Sequence, residues 1–147
     1  MSLRAYKLLF IGIALIGIAN GIYLSILKLS NNSQMCIKGL GDCWTVNTSR
    51  YSEIYGIPIA ILGTLAFITL LVLALLDGRT PFWSNYSLYF IFGVTLVGTL
   101  YSAYLTYLEL DIIRAICPFC VLSAISMLSL FFLTVYRLVK RQAEVNP

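Results

Sequence analysis

The sequence predicts an all-α integral membrane protein, a bundle of four transmembrane helices in a single domain of residues 1–147. Composition is the first reason, because hydrophobic residues make up 60% of the chain and charged residues 11%, whereas soluble domains are nearer half apolar and a quarter charged. Distribution is the second, because the apolar residues fall into four runs, each about as long as a helix that crosses a bilayer. These runs cover about residues 8–27, 57–76, 86–107 and 116–136.

The first run is the one that could be mistaken for a cleaved signal peptide, because two basic residues precede it. The apolar core of a signal peptide is about 7–15 residues long and ends at a small-x-small site. The run at 8–27 is longer and has no good Ala-x-Ala site, so we expect a retained helix. Within it, Gly17-x-x-x-Gly21 predicts close packing inside the chain, and Asn20 predicts either an interhelical hydrogen bond or a functional polar group.

Polar connectors separate the four runs. The longest covers residues 28–56, and its stretch 44–51 mixes aromatic and polar residues, which is typical of a short helix at the membrane interface. Residues 77–81 predict a tight turn. The third is a short charged connector that contains Glu109, Asp111 and Arg114.

Four spans place both termini on one side of the membrane. The termini and the turn at 77–81 carry six of the ten basic residues, which favours a cytoplasmic location for that side. The net charge of +4 is modest and scattered around the apolar runs, so it indicates topology rather than nucleic-acid binding. The first and third connectors then face the extracytoplasmic compartment, where disulfides form and persist.

All four cysteines lie in or beside these two connectors. Cys36 and Cys43 are in the long loop, and Cys117 and Cys120 form a Cys-x-x-Cys pair where the fourth run begins. Pro118 suits the first position of a helix, so Cys117 is the expected N-cap, where helix N–H groups stabilise a thiolate. We therefore predict that Cys117 and Cys120 form a redox-active disulfide that exchanges electrons with the loop pair.

Other interpretations of the cysteines stay open. Four cysteines can hold a structural zinc, although the six-residue gap in the loop pair is a poor zinc spacing and the chain has no histidine. Structural disulfides would suit Cys36 and Cys43, and the protein would then be a non-catalytic membrane scaffold. A transporter is disfavoured, because no charged residue lies in the middle of a run.

The order of the motifs resembles the vitamin K epoxide reductase family, in particular its bacterial and archaeal homologues that oxidise secreted proteins. The matching pieces are Cys36-x6-Cys43, Val46 and Ser49 after that pair, Gly56-Ile57-Pro58-x4-Gly63, and Cys117-Pro118-Phe119-Cys120. The resemblance covers about residues 4–141. The other four-spanning family of disulfide-forming oxidases carries its Cys-x-x-Cys in the first outer loop, which is the reverse of the order here.

The resemblance implies an electron path. A thioredoxin-like protein would be the thiol partner and would react with Cys36. Cys43 would then attack Cys117 to give an interhelical mixed disulfide. Cys120 would face a quinone, such as ubiquinone or menaquinone, bound among the outer ends of the helices.

The implied quinone pocket has fewer sequence markers. Ser49 matches a family residue that hydrogen-bonds or positions the quinone, although it could equally cap the interfacial helix, and we add Phe119 and Tyr104 as candidates. Animal members carry a tyrosine where this chain has Ala124, which leaves recognition of vitamin K epoxide open. Many bacterial members carry a fused thioredoxin-like domain, and here we expect the partner to be a separate protein.

Overall fold

The computed structural model describes residues 2–30, 39, 41–77, 79 and 81–145, and for residues 81–85 it describes the backbone only. Within these residues, the long helices are α1 (Leu3–Ser30), α3 (Ile59–Leu76), α4 (Pro81–Tyr107) and α5 (Pro118–Val145), and a short helix α2 (Cys43–Thr48) follows α1. The four long helices have the length and composition needed to cross a membrane. The predicted all-α four-helix membrane bundle is thus confirmed, and a multi-pass membrane protein is supported.

The end of α4 differs from the sequence prediction. Instead of stopping at Tyr107, the helix continues as a π-helical turn over Leu108–Ile113. Arg114 ends this turn with a left-handed backbone (φ 54°) and donates its N–H to the Glu109 carbonyl oxygen. Most of the predicted charged connector is therefore helical, and this helical turn buries Glu109.

The long loop holds more regular structure than the predicted interfacial helix. After α2 come a 3₁₀ turn (Arg50–Ser52) and two short antiparallel strands, β1 (Glu53–Ile54) and β2 (Ile57–Pro58). The hairpin was not predicted. Its two turn residues, Tyr55 and Gly56, have φ angles of 51° and 82°, the conformation that tight two-residue hairpin turns require. The third helix consequently begins at Ile59, two residues later than its apolar run.

The bundle is arranged so that α1 and α4 each pack against α3 and α5. At the α1–α3 contact, a β carbon on Gly17 would overlap the Phe67 ring, and one on Gly21 would overlap Thr64. The predicted close packing of this Gly-x-x-x-Gly motif inside the chain is therefore confirmed.

Asn20 fixes α1 against the start of α5. Its side-chain Nδ2 donates to the Phe119 carbonyl oxygen at 2.7 Å and to Ser123 Oγ at 2.6 Å. Of the two alternatives predicted for Asn20, the structure shows the interhelical hydrogen bond. Because Phe119 and Ser123 lie in the first two turns of α5, this bond fixes the helix end that carries the Cys-x-x-Cys pair.

The opposite end of the bundle is held by a buried ionic cluster. Asp77, at the end of α3, is paired through Oδ2 with Arg137 at 2.5 Å and with Lys7 at 3.8 Å. Ser87 donates to the other Asp77 oxygen at 3.2 Å. The Arg137 guanidinium also stacks over the Tyr6 ring, 4.9 Å from its centroid. Side chains from all four long helices or their ends thus meet at one buried carboxylate.

Candidate functional site

The long loop docks on the residues that precede α5. The Asp42 backbone N–H donates to the Ile116 carbonyl oxygen at 3.1 Å. Gly41 approaches the same oxygen so closely that a β carbon would lie 2.5 Å from it, and its φ of +117° is one that glycine adopts readily. This contact brings Cys43, the first residue of α2, against Cys117.

Cys43 and Cys117 share a small apolar cluster in which they are only 2% and 0% exposed. The other buried members of this cluster are Leu24, Leu27 and Val46. The Cys117 thiol makes hydrogen-bonding contacts with the thiols of both Cys43 and Cys120. The structure thus brings together three of the four cysteines singled out in the sequence, and Cys36 lies outside the described residues.

Cys117 occupies the N-cap position of α5. The helix begins at Pro118 as expected, the Cys117 carbonyl oxygen accepts from the Val121 N–H at 3.0 Å, and Cys120 is the third helical residue. Hydrogen bonds from the Cys120 thiol and, more weakly, from the Cys120 backbone N–H lower the pKa of Cys117 from 9.0 to about 7, against burial, which raises it. At neutral pH such a sulfur serves both as attacking thiolate and as leaving group.

Glu109 is a site residue that sequence reasoning missed. It is 5% exposed, its Oε2 accepts from the Cys117 backbone N–H at 3.3 Å, and its carboxyl is also a hydrogen-bond partner of the Cys120 thiol. The sequence carried one signal: Glu109 is an acid between two leucines, Leu108 and Leu110, at the end of an apolar run. An ionisable side chain within an apolar segment indicates a functional site.

A cavity of about 640 Å³ lies between the four long helices and the loop. Its volume falls inside the range of about 300–1,000 Å³ that is common for small-molecule sites. Most of its wall is aliphatic or aromatic, and its polar members are Asn47, Ser49, Tyr51, Ser52, Thr64, Tyr101, Ser102, Thr106, Glu109, Cys120 and Ser123. A predominantly apolar wall suits a largely apolar small molecule.

The predicted pocket residues lie at different places relative to this cavity. Ser49 lines it and also ends α2, where its Oγ donates to a backbone oxygen of that helix at 2.7 Å. Tyr104 is 51% exposed and is not part of the lining, whereas Tyr101, about one turn earlier on α4, is. Phe119 is outside the lining too, and its ring packs against Tyr23 with centroids 4.8 Å apart.

Lys28 at the end of α1 anchors the loop that roofs the cavity. Its Nζ donates to the Asn47 carbonyl oxygen and to Ser52 Oγ, both at 2.8 Å, and pairs with Glu53 at 3.0 Å. Asn47 in turn donates its Nδ2 to the Leu24 carbonyl oxygen at 3.2 Å. From the sequence, Lys28 was used only in the count of basic residues that predicts membrane topology, and its contacts with the loop were not predicted.

Metal binding was an alternative use of the cysteines. In the part of the chain that the structure describes, no group of three or more cysteine, aspartate or glutamate side chains has an arrangement that could hold a metal ion.

The chain is similar to known proteins. The family model described as "Vitamin K epoxide reductase family" matches residues 8–135. A relative from Arabidopsis thaliana, the thiol-disulfide oxidoreductase LTO1, is 33% identical over 118 residues, which cover 77% of this chain and 31% of the relative. The chain thus spans about a third of that relative's length.

Proposed function

The chain belongs to the vitamin K epoxide reductase family, and we propose that it is a membrane thiol oxidase that passes electrons from a thioredoxin-like protein through its cysteines to a quinone. The observation that carries this proposal is the position of Cys117. Its sulfur contacts both the loop cysteine Cys43 and its own helix partner Cys120, and Cys120 lies in the wall of the cavity. The three sulfurs therefore connect the loop to the proposed quinone site.

The proposed path consists of thiol–disulfide exchanges. A partner dithiol reduces a Cys36–Cys43 disulfide and is itself oxidised. The Cys43 thiolate then attacks the sulfur of Cys117, which breaks the Cys117–Cys120 bond and releases Cys120. Attack of Cys36 on Cys43 re-forms the loop disulfide and releases Cys117, whose pKa of about 7 makes it a good leaving group.

The cavity fits the quinone that this path requires. When bound, a quinone supplies an acceptor for two electrons and two protons, and the family as a whole makes it the expected cofactor. Cys120 faces this space, and Ser49 and Tyr101 place hydroxyl-bearing side chains in the same wall. Ala124 also lines the cavity, so the position at which animal enzymes carry a tyrosine has a small side chain here. Tyr101 on α4 lines the cavity and Tyr104 does not, so we now propose Tyr101 as the hydrogen-bond donor to the quinone.

We also propose an orientation, with both termini in the cytoplasm and the cysteines on the extracytoplasmic side. The Asp77 cluster and the basic residues of the termini lie at the end of the bundle away from the cysteines, as the positive-inside rule favours. The oxidising compartment would then contain the loop and the thiol partner. The four long helices would be surrounded by the bilayer.

The test is quinone reduction by the purified protein in detergent or liposomes, driven either by dithiothreitol or by a reduced thioredoxin-like protein. We expect Cys117→Ala and Cys120→Ala to lose both activities. Cys36→Ala should lose the protein-driven activity but keep the dithiothreitol-driven one, and a Cys43–Cys117 cross-link should be trapped in Cys36→Ala. Activity that is independent of added quinone, or a scaffold-like pattern with only a Cys36–Cys43 disulfide, would refute the proposal.

A further inference from the structure

Glu109 is a buried acid for which the thiol-exchange path has no use so far. Its carboxyl contacts both members of the Cys-x-x-Cys pair. It accepts from the Cys117 backbone N–H at 3.3 Å and is a hydrogen-bond partner of the Cys120 thiol. It also lines the cavity. The carboxyl therefore touches the sulfur that has to be released when the Cys117–Cys120 disulfide opens.

Within the part of the chain that the structure describes, no cation balances a carboxylate at Glu109. No lysine or arginine among the described residues forms an ion pair with it. Of the described residues, the titratable groups that face it are the thiols of Cys117 and Cys120 at the start of α5, with Cys43 of α2 behind Cys117. The cavity lining adds Tyr101 of α4 and Tyr51 of the loop. A buried carboxylate without a cation is costly unless a proton neutralises it.

We infer that Glu109 is the proton donor and acceptor of Cys120, a catalytic residue that gives the sulfur a proton when the disulfide opens and takes it back when the disulfide closes. This inference rests on the proposed function, because it assigns a role within the same exchange path. The proton moves between two atoms of this chain, from a Glu109 carboxyl oxygen to Cys120 Sγ and back.

The proton and electron balance of the two steps is simple. When a thiolate attacks Cys117, the Cys117–Cys120 bond breaks, its electron pair leaves on Cys120 and the Glu109 proton goes to that sulfur. When the pair is oxidised again, the disulfide forms, two electrons pass to the acceptor and the Cys120 proton returns to the carboxylate. Glu109 thus ends each cycle as it began. The two protons that a quinone takes up equal those lost by the partner dithiol.

A purely structural role for Glu109 would look different. A residue that only holds the Cys117 N–H needs an acceptor oxygen, and a glutamine side chain provides one of the same length. Glu109→Gln therefore keeps an acceptor for the Cys117 N–H and removes the acidic proton together with the charge of the carboxylate. Asp111→Asn is the matched control, because Asp111 is an exposed acid of the same π-helical turn.

The experiment follows the opening of the Cys117–Cys120 disulfide without any quinone or protein partner. Full-length Cys36→Ala/Cys43→Ala protein, which retains only these two cysteines, is oxidised, mixed with dithiothreitol over a range of pH and quenched with a maleimide that counts free thiols. Concentrations are kept where the rate rises in proportion to dithiothreitol, so that opening of the loop is not what limits it. Rates are divided by the dithiothreitol thiolate concentration.

With Glu109 intact, or with the control Asp111→Asn, we expect the corrected rate to fall as pH rises and the carboxyl loses its proton. Glu109→Gln should be slower at low pH by about a hundredfold, the lower end of what general acid catalysis contributes, and should lack this fall. Glu109→Asp should restore the pH-dependent fall. It replaces the glutamine variant if the latter does not fold.

Two results would overturn the inference: a Glu109→Gln profile that coincides with that of the parent, or a slower one with an unchanged dependence on pH. Loss of the pH-dependent fall in Glu109→Asp would do the same. Because no quinone is present, these outcomes are independent of the quinone-reduction assay. That assay alone decides the proposed function.

Discussion

The chemistry of the single residue Cys117 depends on its hydrogen-bond donors. The side-chain hydrogen bond from Cys120 is the largest cause of its lowered pKa, while burial acts in the opposite direction and contact with the Cys43 thiol adds a smaller lowering effect. The pKa of about 7 is therefore a property of the reduced Cys-x-x-Cys pair rather than of the cysteine alone. A thiol of ordinary pKa would be almost wholly protonated at neutral pH.

We expect the Cys117 thiolate to form with a midpoint at about pH 7 in the reduced protein. Above that pH the sulfur is increasingly a thiolate. Removal of the Cys120 thiol in Cys120→Ala should move the midpoint to higher pH, and Cys43→Ala should move it by less. The measurement is a pH titration of thiolate ultraviolet absorbance with Cys117→Ser as the blank. A wild-type midpoint at the ordinary value of 9.0 would contradict the assignment.

The common location of Cys43, Cys117 and Cys120 could be predicted from the sequence, whereas the burial of Glu109 could not. These three cysteines follow the first and third spans, so counting spans was sufficient to place them at one end of the bundle. Glu109 is buried because α4 continues as a π-helical turn and then reverses at Arg114. No sequence rule for an isolated charged connector indicates such a turn.

The docking of the loop on the start of α5 depends on Gly41. Two atoms limit the space for a side chain there, since a β carbon would lie 2.5 Å from the Ile116 oxygen and 2.9 Å from Pro118 Cδ. The nearby Asp42 N–H makes the hydrogen bond that holds the loop. A side chain at this position therefore pushes Cys43 away from Cys117.

Gly41→Ala should slow oxidative cross-linking of Cys43 to Cys117 by roughly tenfold, which corresponds to about 1.4 kcal/mol. The cross-link is measured in a protein that also carries Cys36→Ala and Cys120→Ala, so that only this pair can form. Gly39→Ala is the matched control: Gly39 also has a positive φ, of 96°, but a β carbon there would meet no atom within 4 Å. Equal slowing by both substitutions would indicate backbone strain alone.

The sequence did not indicate which side of α4 faces the cavity. In water, the apolar side of a helix marks the side that is buried. In a bilayer the outer side is apolar as well, so the pattern that would separate Tyr101 from Tyr104 is lost. For the same reason the sequence did not indicate which way the Phe119 side chain would face. The structure packs its ring against Tyr23 of α1, outside the cavity lining.

The two ends of the bundle are built differently. In the described residues, the cysteine end has a loop, a cavity and the ion pair between Lys28 and Glu53. The other end has the buried carboxylate of Asp77, whose side chain is 2% exposed and which is paired with Arg137 and Lys7. Removing one partner from a buried ionic group leaves an uncompensated charge, which typically costs about 3–5 kcal/mol.

Asp77→Leu should therefore lower the thermal unfolding midpoint markedly, because it leaves Arg137 without its acceptor. Adding Arg137→Met should recover part of the loss, since a buried pair can often be replaced by apolar side chains at little net cost. Lys140→Met, one turn beyond Arg137 and exposed, is the control and should change the midpoint little. The measurement is unfolding in detergent, and an equal midpoint for the single and double variants would contradict the pairing.

The loop that carries Cys43 also forms part of the cavity wall, through Ser49, Tyr51 and Ile54. Movement of this loop, which the proposed reaction with a protein partner requires, would therefore open the cavity, and a molecule that fills the cavity would favour the closed loop. By thermodynamic reciprocity, whatever holds the loop open weakens cavity binding by the same factor. The affinity of a ligand for the cavity and the accessibility of Cys43 would thus depend on the same equilibrium.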